Sequence, residues 1–111
     1  MSKEKITLYD YINSPSATSP DQGDAVYEKI KSSISSYITN NIEFVIDFKE
    51  INSLTTAFLN NALGKLFYNF DNDKLLSLMS FTGLSNTMQV KTLKLTLSNA
   101  IALSQVKDSS E

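Results

Sequence analysis

Two adjacent threonines, Thr55 and Thr56, stand just before an apolar pattern of helical period, and Asp47 closes the branched and aromatic run before them. A helix N-terminus offers unpaired N–H groups and a partial positive charge. A hydroxyl placed there caps the helix or accepts a phosphoryl group. Asp47 falls at the end of an expected strand, where open α/β sheets collect ligands. It can orient a partner's Lys or Arg, or a metal on a partner's nucleotide. Alternatively it bonds the turn amides of Glu50 to Asn52. Asn52, Ser53 and Phe58 complete the candidate contact surface, with Phe58 as its apolar anchor if it is exposed.

Little other chemistry is available. The 111 residues contain no Cys and no His, and the ten Lys and Arg positions are all Lys. Thiol nucleophiles, Ser-His triads, His bases and the usual zinc sites are therefore absent. No residue pair makes an acid–base or nucleophile constellation, so no enzyme and no cofactor are expected. Asn69, Asp71, Asn72 and Asp73 cluster, but a calcium loop needs more oxygens and a bidentate Glu, so a turn and no metal are expected. A net charge of −2 without Arg gives no footprint for nucleic acid. Lys65, Lys91, Lys94 and Lys107 read as a solvated face, and the aromatics recur at core spacing. The N-terminus does not read as a signal peptide, and no apolar run approaches the roughly 18 residues of a membrane span. A cytoplasmic protein is the expectation.

These residues need elements to hold them. Residues 5–12 alternate apolar with polar and predict an edge strand. Residues 13–23, with both prolines, predict a mobile loop. Val26, Ile30, Ile34 and Ile38 predict a helix over 24–38, capped by Asp21 or Asp24. Residues 42–48 predict a central strand with Phe44, Ile46 and Phe48 on one face and Val45 and Asp47 on the other. A helix over 56–70 follows, then a turn at 71–73, a third strand over 75–81 and a last helix over 85–104. Gly64 inside the second helix points to a close backbone approach. The order β-α-β-α-β-α gives a single α/β domain over 1–111, its core about 5–104. It has a small parallel or mixed sheet with helices mainly on one face. The tail 105–111 is expected to fray.

Val45-Ile-Asp-Phe48, Ile51, Leu54-Thr-Thr-Ala-Phe-Leu59 and Gly64-Lys-Leu66 resemble the STAS domain, the fold of anti-sigma-factor antagonists and sulphate-transporter tails. The chain looks closest to short prokaryotic STAS-like domains without an assigned function. The resemblance covers about residues 24 to 104. It implies a bacterial, non-enzymatic partner switch. In the antagonist branch an ATP-binding anti-sigma kinase binds the unphosphorylated form and phosphorylates a Ser or Thr at the second helix. On this resemblance the acceptor falls on Thr56. Thr55 stands where the branch usually has an acidic residue, and Ala57-Phe58 where it has Ser-Gly.

The expectation is a regulatory protein–protein interaction domain. Thr56 and Thr55 are its phospho-acceptor candidates, and a kinase-like ATPase or another regulator is its partner. The alternative is a structural module that forms homo-oligomers through a sheet face or edge, without a phospho-switch.

Overall fold

The computed structural model describes residues 3–109, with side chains through Gln105. Three parallel strands form the main sheet: β1 (Glu4–Thr7), β3 (Phe44–Asp47) and β5 (Met79–Thr82), in the order β1-β3-β5. A two-residue parallel ladder pairs β2 (Ser16–Ala17) with β4 (Ser53–Leu54). The helices are α1 (Leu8–Ile12), α2 (Pro20–Thr39), α3 (Thr56–Leu59), α4 (Leu66–Asn69), α5 (Asn72–Leu78) and α6 (Thr87–Ser109). A π-turn, Asn60–Gly64, joins α3 to α4, so residues 56–69 form one interrupted helical segment. Helix-bearing crossovers link the strands, and this makes their neighbours parallel.

The strand residues sort cleanly by face. The register aligns Ile6, Ile46 and Phe81, and next to them Phe44 and Met79. Ile6, Phe44, Ile46 and Met79 are buried and join α2, the 56–69 segment and α6 in one core. Phe48, Leu63 and Leu66 belong to the same core and are fully buried. The opposite face carries Lys5, Thr7, Val45, Asp47, Ser80 and Thr82, polar apart from Val45. The expected α/β sheet with helices on one face is therefore present. A sheet face this polar gives the expected face-to-face assembly almost no apolar area to bury.

Several boundaries differ from expectation. The first strand stops at Thr7, and residues 8–12 turn into α1, because Leu8, Tyr11 and Ile12 also fit helical spacing. Its edge position holds. The loop 13–23 is largely structured. Pro15 O accepts N–H bonds from Asn52 and Ser53, and β2 pairs with β4. Ser19, not Asp21 or Asp24, caps α2 through a capping box with Gln22, and Pro20 follows at the first helical position. Residues 75–78 are helical, not extended. Asp71 caps α5 by accepting from the Lys74 N–H, and Leu75 and Leu78 turn inward one helical turn apart. The strand begins only at Met79. α6 continues through Ser109, and the last two residues of the expected fraying tail lie outside the described residues.

The close helix approach expected at Gly64 occurs at Gly23 instead. A Cβ on Gly64 would meet nothing nearer than Ala100 Cβ at 3.7 Å, ordinary contact. On Gly23 it would lie 2.4 Å from Phe58 O and 3.0 Å from Ala62 N, both backbone atoms. Any side chain at Gly23 would force α2 away from the 56–69 segment.

Candidate functional site

The candidate residues lie on the stretch between β3 and α3. Phe48 and Ile51 are buried and anchor a turn closed by the Ile51 N–H bond to Phe48 O, with Glu50 at a positive φ of 71°. Gln89 fastens the next part. It is buried at the start of α6, and its Nε2 donates to Ile51 O and Asn52 O, both at 3.1 Å. Its Oε1 accepts from the Ser85 N–H at 2.8 Å. The Asn52 and Ser53 side chains are exposed, while their N–H groups bond Pro15 O.

The two threonines divide their work. Thr55 is the N-cap of α3: its Oγ1 accepts from the Phe58 N–H at 3.3 Å and donates to Thr18 O at 2.8 Å. Both capacities of that hydroxyl are used inside the fold. Thr18 in turn donates its N–H to Gln22 Oε1, so the cap of α3 is tied to the capping box of α2. The starts of two helices are held side by side, and Asn61 Nδ2 adds a bond to Pro20 O. Thr56 is the first helical residue and is exposed. No hydrogen bond engages its hydroxyl among the described residues.

Phe58 is fully buried and is not the surface anchor. It points into the core because it lies on the same inward stripe as Leu59 and Ala62, beneath the Gly23 crossing.

Asp47 faces away from these groups, on the polar side of the sheet. The residue is only 5% exposed. Its Oδ1 accepts from the Lys49 N–H at 3.0 Å, and its Oδ2 lies 3.6 Å from Lys5 Nζ. The turn amides it bonds are thus not those of Glu50 to Asn52. The loop after β5 closes over it: Gly83 has φ of +79°, and a Cβ there would lie 2.4 Å from Asp47 Oδ1. Asp47 therefore bonds its own turn, and the Gly83 loop packs closely against it. Sequence reasoning missed Gln89, Gly83 and Lys5, whose partners are remote in the chain. The capping signature at Ser19 and Gln22 was available locally. Among the described residues, no group of three or more His, Cys, Asp or Glu side chains is placed to share a metal.

A family model described as the STAS-like domain of unknown function (DUF4325) matches residues 22–89, more than half of the chain. The chain belongs to this family. The matched span of the STAS-like domain runs from the capping box of α2 to Gln89, the residue that fastens the loop before Thr55. It thus contains the helix-entrance site from Gln22 onward and leaves out the segment Pro15 to Pro20 that bonds to it. No curated protein and no solved structure matches the chain significantly.

Proposed function

We propose that this STAS-like domain is a non-enzymatic regulatory interaction module, a partner switch of the anti-sigma-factor-antagonist type working in the bacterial cytoplasm. Its partner is a kinase-like ATPase or another regulator. Thr56 is the acceptor of the switching phosphate. The observation that carries this reading is the division between the two threonines. Thr55 is consumed by capping α3 and by Thr18 O, whereas Thr56 is exposed with its hydroxyl directed to no internal partner. Asn52 and Ser53, exposed on the rigidly held stretch before it, supply polar contacts to a docked partner. A phosphate on Thr56 adds up to about two negative charges at a helix start, where the dipole tolerates them.

The test is phosphate incorporation from labelled ATP in an extract of the native host, followed by peptide mapping. Label should appear on Thr56, vanish in Thr56→Ala and persist in Thr55→Ser. Label that survives in Thr56→Ala, or a wild-type chain that takes up none, contradicts the switch.

A further inference from the structure

β5 forms one edge of the main sheet. The Phe48 N–H fixes its phase: it donates to Thr82 O at 2.8 Å, with Asp47 aligned on Thr82. In a parallel ladder, alternate residues turn both main-chain groups to the same neighbour. Ser80 and Thr82 therefore turn theirs to β3, and Met79, Phe81 and Gly83 turn theirs away. The Met79 N–H is spent on Leu75 O at the end of α5. Among the described residues, no hydrogen bond takes up the Met79 carbonyl, either main-chain group of Phe81, or the Gly83 N–H. The other edge, β1, carries Glu4 and Lys5 with Lys3 just before them, and edge charges deter a further strand. From Leu75 to Val90 no side chain is charged.

The layer above the β5 edge is only partly filled. α2 and α6 both pack on the 56–69 segment, with little contact between them. α2 crosses from β1 to β3 and the segment from β3 to β5, as right-handed units on one face. α6, on the far side of the segment, thus overhangs the β5 edge. Asn99 and Leu103 line the outer groove that α6 forms with the π-turn. Leu97 and Ile101 stand roughly 160° round the helix from these two, on the flank toward the sheet. They are half-buried, as are Phe81 and Leu84, and all four pack on the margin of the core. The Phe81 ring centroid lies 6.3 Å from that of Phe48.

We propose that β5 accepts an added strand beneath α6, an uncharged extended segment of another protein. Free N–H and carbonyl groups two residues apart along an edge are met by an extended backbone, and this identifies the occupant's conformation. Its side chains on the helix side meet Phe81, Leu97 and Ile101 and are apolar. Those on the other side continue the face of Ser80 and Thr82 and are polar. The β5 of a second copy offers the same backbone, but it brings its own overhanging α6 to the place where this α6 stands. A free segment carries no such helix. The site uses neither Thr56 nor the loop before it, so it stands or falls apart from the phospho-switch.

Amide hydrogen exchange of the full chain, followed by NMR, tests the site. The probe is an end-blocked octapeptide of alternating threonine and valine. At about 1 mM peptide, exchange of the Phe81 and Gly83 amides should slow at least twofold, as a dissociation constant of about 1 mM gives. The Lys5 amide should not change, although it too turns outward, since the Glu4 N–H is the one that bonds β3's side at Glu43 O. The same peptide with proline in place of valine lacks those N–H groups and should have no effect. Unchanged exchange at Phe81 and Gly83, or equal slowing at Lys5, overturns the proposal. Slowing that grows with protein concentration in the absence of peptide also overturns it, in favour of a second copy.

Discussion

Thr55 and Thr56 are neighbours of the same type with opposite environments, and substitution should separate them. Thr55→Ala removes the N-cap of α3 and the bond to Thr18 O. Loss of a cap costs about 0.5–2 kcal/mol, and the second bond adds about 1 kcal/mol. Thr55→Ser should recover most of this, and Thr56→Ala should stay within about 0.5 kcal/mol of wild type. Urea melts of the three variants check the assignment; a Thr56→Ala loss as large as that of Thr55→Ala would show that the cap is shared. The sequence already placed a hydroxyl at this helix start, because a threonine before an apolar helical stripe is a capping signal. It could not say which threonine caps, since that depends on Thr18, remote in the chain. Asp47 shows the same limit: its strand-end position was legible, but its contacts with Lys5 and the Gly83 loop depend on pairing between distant segments.

Elements were legible where one period dominated. Val26, Ile30 and Ile34 in α2 and Phe44 and Ile46 in β3 repeat with a single period, and all are buried. The 56–69 segment has the same clarity on its inner face. Leu63, within the π-turn, is fully buried against the core. Leu63→Ala should therefore cost about 2–5 kcal/mol, the range for truncation of a buried leucine. A loss below about 1 kcal/mol in a denaturant melt would place Leu63 at the surface. Elements were illegible where two periods fitted equally. Leu75-Leu-Ser-Leu-Met79 satisfies a buried strand as well as a helix, and the Asp71 cap decided for a helix until Met79. The π-turn left no periodic mark, because one extra residue in a turn shifts an apolar stripe without breaking it.

At the scale of the molecule, alternation of strand and helix carried the argument. It implied parallel crossovers, and β3 pairs in parallel with both β1 and β5. The β2–β4 ladder escaped notice because two residues give no pattern to read, yet it holds the two helix starts together. No helix among the described residues is long and apolar enough to cross a membrane. The whole then divides into a buried helical layer, a polar sheet face, a helix-entrance edge that exposes Thr56, and an outer face of α6 that exposes Met88, Leu95 and Leu103. The central claim concerns that edge, and it is tested most directly by calorimetric titration of a partner purified from the native host with wild type, Thr56→Ala and Thr56→Glu. Thr56→Glu should melt near wild type, because the dipole accepts the charge, yet bind at least about tenfold more weakly, about 1.4 kcal/mol. Thr56→Ala should bind like wild type. Equal affinity of Thr56→Glu and wild type would contradict the account by removing Thr56 from the contact surface.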